Sequence, residues 1–146
     1  MAISYNTLIE IELEPEGHYP FISYGIDQFD AQLILKETTT LKFDLDLSCG
    51  SHKFMLNFSN KTNSTPELAV KINKVTIEGI CVDRFKWAGK YYPNYPEPWA
   101  SEQKHELPDC IDSATYLGWN GIWELDFTVP IFTWIHKIEH LGWIYD

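Results

Sequence analysis

The sequence has few basic residues. Only 11 Lys and Arg side chains stand against 21 Asp and Glu, and the formal net charge is −10. Proteins that bind nucleic acid neutralise phosphates with Lys and Arg, so this balance argues against a nucleic-acid partner. An anionic membrane surface would repel the chain for the same reason. We therefore expect a neutral ligand, a cation or a protein surface as the partner, or a charge that serves only solubility.

Cysteines are scarce as well. The chain has three, Cys49, Cys81 and Cys110, with no CxxC pair. We expect free thiols, which argues against an oxidising compartment; one disulfide with one remaining thiol is the alternative. The first residues have no basic region followed by an apolar run, and no stretch of about 18 apolar residues occurs. We therefore expect no secretory signal and no membrane insertion.

The common catalytic signatures are missing. There is no G-x-S-x-G and no glycine-rich phosphate loop. His136 and His140 stand four residues apart, but Lys137 occupies the place where the metal-binding motif H-E-x-x-H has Glu. Acidic pairs such as Asp44 and Asp46 lie on the polar side of alternating segments, although a glycosidase also uses two carboxylates. The prediction is a protein that is not an enzyme, with a glycan-active enzyme as an alternative.

The chain does contain apolar residues that alternate with polar ones at a period of two, which is typical of half-buried strands. Such segments cover residues 9–13, 30–36, 41–47, 54–58, 70–77 and 123–129. The phase slips at Asn73-Lys74, which indicates a bulge or a tight turn. Short connections and charged faces favour antiparallel sheets. We predict a single domain over residues 1–146: an all-β, antiparallel, jelly-roll-like sandwich of seven to ten strands.

One helix is predicted near the end of the chain, over residues 131–141. Its apolar residues recur on a single helical face, Pro130 suits a first-turn position and Gly142 suits a stop. We expect this short helix to cap one end of the sandwich.

Residues 84–99, RFKWAGKYYPNYPEPW, concentrate aromatic rings and prolines. The prolines predict that this segment is neither helix nor central strand, within a long loop layer over residues 84–121. Either the rings fold back and close one end of the sandwich, or some remain exposed to stack on sugars, proline-rich peptides or another subunit. The candidate binding residues are Arg84, Trp87, Tyr91, Tyr92, Tyr95 and Trp99.

Oxygen-bearing side chains in the predicted loops could serve a calcium ion, which takes six to eight oxygen ligands. The candidates are Asp27, Asp30, Asn60 and Asp83. No D-x-D-x-D-G run is present, and turn formation is the alternative role for these residues.

The stretch FMLNFSNKTNSTPELAVKINKVTIEGI resembles the middle of calcium-dependent carbohydrate-binding modules of the xylan-binding, jelly-roll type. In that family a strand ending in F-x-N-D leads to a pair of strands of the form V-x-I-x-x-V-x-I-x-G. Phe58 to Asn60 and Val70 to Gly79 match these patterns, while Lys61 stands where the family has Asp. The resemblance implies the fold and a glycan ligand; the departure at Lys61 affects calcium ligation at this loop.

The whole chain, with its ending DFTVPIFTWIHKIEHLGWIYD, also resembles small uncharacterised proteins of tailed marine phages. This implies a virion component in head decoration, tail or host attachment, in contact with protein subunits or copies of itself. The first hypothesis is therefore a non-catalytic structural or binding protein of a virion that acts through an exposed aromatic surface. A carbohydrate-binding module, with or without a requirement for Ca²⁺, is the alternative, and a glycan-active enzyme is the second alternative.

Overall fold

The computed structural model describes residues 3–62, 64–95, 100–104 and 106–138. For residues 136–138 it describes the backbone only. Strands dominate this part of the chain. They are β1 (Ser4–Glu16), β2 (Phe21–Ile26), β3 (Ala31–Ile34), β4 (Thr39–Ser48), β5 (Gly50–Phe58), β6 (Ala69–Ile77), β7 (Ile80–Cys81), β8 (Lys90–Pro93), β9 (Ile111–Asp112), β10 (Tyr116–Leu117) and β11 (Gly121–Val129). The helices are α1 (Asp83–Trp87) and α2 (Ile131–Ile138), and Ala100–Glu102 forms a 3-10 turn.

The strands form two antiparallel sheets. A five-stranded sheet has the order β10-β6-β1-β4, with β7 also paired to β6. A six-stranded sheet has the order β3-β2-β5-β11-β8-β9. The predicted antiparallel β-sandwich with a short helix near the end of the chain is thereby confirmed.

The core lies between the two sheets, because one side of each alternating strand faces inward. Ile9 and Ile11 of β1 are fully buried, as are Phe54 of β5 and Trp123 of β11. The rings of Phe54 and Trp123 meet edge to face, with 5.9 Å between their centroids. Each such side chain contributes about 1.5–3 kcal/mol when it leaves water, so the apolar half of the alternation drives the sheets together.

The predicted irregularity at Asn73 is a β-bulge. Glu12 of β1 pairs with Lys74, and the next residue, Leu13, pairs with Ile72, so Asn73 has no partner in this ladder. The Asn73 side chain donates a hydrogen bond to Glu12 Oε2 at 3.1 Å. The bulge explains why the apolar phase slips within one continuous strand.

The predicted C-terminal helix is confirmed over Ile131–Ile138, and residues 139–142 lie outside the described residues. Trp134 and Ile135 are buried, whereas Phe132 is 53% exposed. The Trp134 ring lies 5.8 Å from the Phe85 ring and 6.5 Å from the Phe127 ring. Helix α2 therefore closes the core through its apolar face.

The prediction that residues 84–99 exclude helix and strand is wrong for the first half of that segment. Residues 83–87 form α1, since every proline of the segment comes after them. Strand β8 then runs to Pro93 between β11 and β9. Only Lys90 and Tyr91 pair with β9, so Pro93 ends the strand beyond that ladder, where its missing N–H breaks no pairing with β9. The predicted loop layer over 84–121 is likewise interrupted by short strands.

Cys49, Cys81 and Cys110 are free thiols, as predicted. Among the described residues, no helix has the length and apolar character needed to cross a membrane.

Candidate functional site

Strand β8 places two adjacent tyrosines on opposite faces of the six-stranded sheet. Tyr91 pairs with Trp123, which is fully buried, and Tyr92 pairs with Ile122, which is half-buried. Because side chains alternate along a strand, Tyr91 points into the core and Tyr92 to the outer face. Tyr92 is 39% exposed and Tyr91 only 3%.

Tyr91 therefore does not belong to an exposed aromatic surface, contrary to the sequence prediction. Its hydroxyl donates a hydrogen bond to the Trp119 carbonyl and accepts one from the Trp119 N–H at 3.1 Å. Burial raises the pKa of Tyr91 to about 12, although the bond to Trp119 works in the opposite direction. Tyr91 is an anchor that fixes the loop before β11.

An open depression of about 340 Å³ lies beside Tyr92. Neighbouring positions on three strands form its floor: Asn57 of β5 pairs with Ile122 of β11, which pairs with Tyr92 of β8. The other lining residues are Phe58, Ser59, Asn94, Asn120 and Gly121. Within the described chain, the side-chain amides of Asn57 and Asn94 have no hydrogen-bond partner, so both can serve a ligand.

The rim of the depression is held by a clasp between two loops. The Lys61 N–H donates to Asn120 Oδ1 at 2.8 Å, and Asn120 Nδ2 donates to the Lys61 carbonyl at 2.8 Å. The Lys61 ammonium donates to the Gly118 carbonyl at 2.5 Å and lies 4.4 Å from the centre of the Trp119 ring. Burial lowers the pKa of Lys61. Lys61, the residue that departs from the resembled motif, thus fastens the rim.

Gly121 lets β8 approach β11 closely at the depression. A Cβ at this position would lie 2.4 Å from the Tyr92 carbonyl oxygen, and its φ of +158° is near the extended region. Any larger residue would force β8 away from β11 and move Tyr92.

The Tyr92 hydroxyl contacts Cys110, the residue that directly precedes β9. A hydrogen bond with the Cys110 thiol raises the pKa of Tyr92, so the phenol is neutral near pH 7. A neutral, partly exposed ring of this kind offers an apolar face with a polar tip.

The other predicted aromatic candidates do not join Tyr92 on this face. Arg84 and the 49% exposed Trp87 lie on α1, which contacts β6 of the five-stranded sheet. Tyr95 is half-buried and donates a hydrogen bond to the Pro108 carbonyl at 2.8 Å. Trp99 lies outside the described residues. The structure therefore divides the candidate set, and Tyr92 is its one described member among the lining residues of the depression.

The predicted calcium ligand Asp27 is engaged with His52. Its Oδ2 lies 2.6 Å from His52 Nδ1, and its Oδ1 accepts from the Lys53 N–H at 2.9 Å. The other ring nitrogen, His52 Nε2, lies 2.7 Å from the Ser48 carbonyl. Asp27 thus joins the end of β2 to the first residues of β5.

The other calcium candidates do not converge either. The Asn60 Oδ1 accepts from the Phe21 N–H at 2.8 Å, and Asp83 pairs with Lys86 at 3.7 Å. Asp30 lies in the loop that passes over Gly25. The described part of the chain contains no group of three or more His, Cys, Asp or Glu residues that could hold a metal ion. The carboxylates of Asp27, Asp30 and Asp83 therefore form no such group.

The sequence did not predict a role in the site for Asn57, Asn94, Asn120 or Ile122. Asn57 occupies an outward position of a predicted strand, and Ile122 lies one residue before the predicted segment 123–129. Nothing in the sequence shows that these two strands are neighbours. Only the pairing of β5 with β11 brings them together, across a long separation in the chain.

Comparison with solved structures finds the same fold in carbohydrate-binding modules. The structure of vCBM60 in complex with galactobiose aligns with a TM-score of 0.55 and 12% identity, covering 81% of this chain and 96% of that chain. A selenomethionine form of vCBM60 aligns with a TM-score of 0.54 and 8% identity, covering 82% and 89% respectively. In vCBM60, circular permutation provides an evolutionary link between two families of calcium-dependent carbohydrate-binding modules. Identities this low show a shared fold alone.

No protein-family model matches the chain, and no curated protein matches it.

Proposed function

We propose that this protein is a non-catalytic carbohydrate-binding module and that the depression beside Tyr92 is its ligand site. The observation that carries the proposal is the row of Asn57, Ile122 and Tyr92 on the outer face of a sandwich whose fold matches vCBM60. One solved structure of vCBM60 holds galactobiose. A glycan is also the kind of neutral partner that the charge of −10 favours.

The chemistry of the depression suits a sugar. The apolar face of a pyranose can pack on the Tyr92 ring and on Ile122, while its hydroxyl groups both donate and accept hydrogen bonds. The amides of Asn57 and Asn94 offer both kinds of partner. A pocket of a few hundred Å³ with apolar contacts and a small number of polar groups is typical of small-ligand sites.

The virion hypothesis receives no support from the comparisons, and the fold likeness favours the carbohydrate-binding alternative. Glycan-active catalysis is not favoured either, because the solved structures that share the fold are binding modules. The proposed mode of binding assigns no role to calcium, since the oxygen donors of Asp27 and Asn60 are already engaged within the fold.

The test is binding to immobilised and soluble galactan, xylan and β-glucan, with isothermal titration calorimetry on those retained. Tyr92→Ala should weaken binding at least about tenfold, the loss expected for about 1.4 kcal/mol of ring contact. Tyr5→Ala is the matched control, because Tyr5 is 42% exposed on β1 of the other sheet. Absence of binding to every glycan, or equal effects of the two variants, would contradict the proposal.

A further inference from the structure

The depression beside Tyr92 is one end of a longer row that crosses the six-stranded sheet. Ser23 pairs with Gln32 on one side and with Asn57 on the other, and Asn57 pairs with Ile122, which pairs with Tyr92. Five adjacent strands thus contribute one outward residue each. Four interstrand steps of about 4.8 Å give a row of roughly 19 Å.

A second depression lies at the opposite end of this row. It has a volume of about 320 Å³ and is lined by Ser23, Phe29, Asp30, Ala31 and Gln32. Phe29 is 45% exposed. The loop that carries it passes tightly over the sheet at Gly25, where an added Cβ would lie 1.9 Å from the Gln28 carbonyl oxygen. The loop therefore forms a fixed wall that presents an aromatic ring at this end.

The row is uncharged, and acidic and basic groups beside it on the same face pair with one another. No residue of the row carries a charge at neutral pH; these residues are Gln32, Ser23, Asn57, Ile122 and Tyr92. Two positions beyond Ile122 on the same face, Glu124 pairs with Lys53 at 3.1 Å, and Asp126 lies 3.9 Å from the same ammonium. Asp30 lines the second depression. Because the row itself offers no cation and Asp30 lines one depression, these five residues suit a neutral ligand better than an anionic one.

Resting on the proposed function, we propose that the ligand is a linear, neutral oligosaccharide that lies across the strands along this row and fills both depressions. Tyr92 provides the ring contact at one end and Phe29 provides it at the other. The amide and hydroxyl groups of Asn57, Ser23 and Gln32 hydrogen-bond the sugars between them. A disaccharide occupies one depression at a time, and a longer chain reaches both.

The test compares bioses with hexaoses of the galactan, xylan and β-glucan series by isothermal titration calorimetry on the full chain. The hexaose of the recognised series should bind at least tenfold more tightly than its biose. Phe29→Ala and Gln32→Ala should each bring this ratio towards one. Phe132→Ala, which truncates a 53% exposed ring on α2, should keep the wild-type ratio. Circular dichroism and thermal melting check that each variant is folded.

Several outcomes would overturn this inference. Equal affinities for biose and hexaose would show a single sugar site, and an unchanged ratio in both Phe29→Ala and Gln32→Ala would show that the second depression is not used. Tighter binding of hexagalacturonate than of the neutral hexaoses would contradict the neutral ligand. Each of these three results contradicts this inference and leaves the proposed function intact. Absence of wild-type binding to every glycan would contradict both the inference and the proposed function.

Discussion

Tyr91 and Tyr92 are adjacent in the chain and lie on opposite sides of one sheet. Tyr91 is buried against the core and bonded to Trp119, and Tyr92 faces outward beside Ile122. Because side chains alternate along β8, Tyr91 is a buried anchor and Tyr92 is an exposed contact residue. Tyr91 therefore stabilises the fold, whereas Tyr92 is available to a ligand.

The first prediction follows from that division. Tyr91→Ala should lower the free energy of unfolding by about 3 kcal/mol, because it empties a buried ring site. Tyr92→Ala should lower it by less than about 1 kcal/mol, as is usual for a partly exposed side chain. Urea unfolding of the two variants measures the difference. Equal losses would show that Tyr92 is also a core residue.

The second prediction concerns Gly89, which packs directly on the Trp123 indole. A Cβ at position 89 would lie 2.1 Å from Trp123 Cζ2, and Trp123 is fully buried with its Nε1 donating to the Ala114 carbonyl. Gly89→Ala should therefore destabilise the fold by about 1–3 kcal/mol through overpacking.

The control for Gly89 is Gly118→Ala. Its Cβ would meet only the Tyr116 ring, at 3.2 Å, and Tyr116 is 50% exposed. Thermal melting of both variants measures the effect. A Gly89→Ala protein as stable as the control would contradict the close packing of α1, β8 and Trp123.

The third prediction is a pH dependence at His52. Burial of the ring lowers its pKa, but hydrogen bonds to Asp27 and to the Ser48 carbonyl outweigh burial, so the net pKa lies above 6.5. Both partners only accept, so both bonds form together only when the imidazole is protonated. The stabilisation is therefore complete below about pH 6.5, the unfolded pKa, and is lost as the pH rises through the folded pKa.

The measurement is urea unfolding of the wild type and of His52→Gln from pH 6 to pH 9. The stability gap between them should be on the order of 1 kcal/mol at pH 6 and should shrink at higher pH. A gap that is constant over this range would show that the imidazolium does not hold Asp27 and Ser48 together.

The fourth prediction concerns metal removal. Because the described carboxylates form no metal-binding group, glycan binding should be the same in EDTA and in CaCl₂. Calorimetry with the tightest hexaose in each buffer measures this. Loss of affinity in EDTA that CaCl₂ restores would place a calcium ion in the binding site.

Much of the fold follows from the sequence, as two elements show. The alternation from Trp123 to Val129 predicts β11, and the slip at Asn73 predicts the bulge in β6, because both features depend on local side-chain pattern. The sequence did not predict the strand Lys90–Pro93, because a proline argues against a central strand. Pro93 is tolerated there because β9 pairs only with Lys90 and Tyr91.

The site could not be predicted in the same way. Asn57, Ile122 and Tyr92 meet only through the order and register of β5, β11 and β8. Order and register depend on how the two sheets pack, and no single segment carries that information. Recognition of strand β8 in the sequence would have placed Tyr91 and Tyr92 on opposite faces of the sheet, because side chains alternate along a strand.

The most direct test of ligand binding on the six-stranded sheet is a titration of the ¹⁵N-labelled protein with the hexaose that binds most tightly, followed in ¹H–¹⁵N correlation spectra. Binding along the row predicts that the largest shifts fall on the amides of Asn57, Ile122 and Tyr92, with further shifts at Ser23 and Gln32. Shifts confined to the five-stranded sheet or to α1, or no shifts at all, would contradict it.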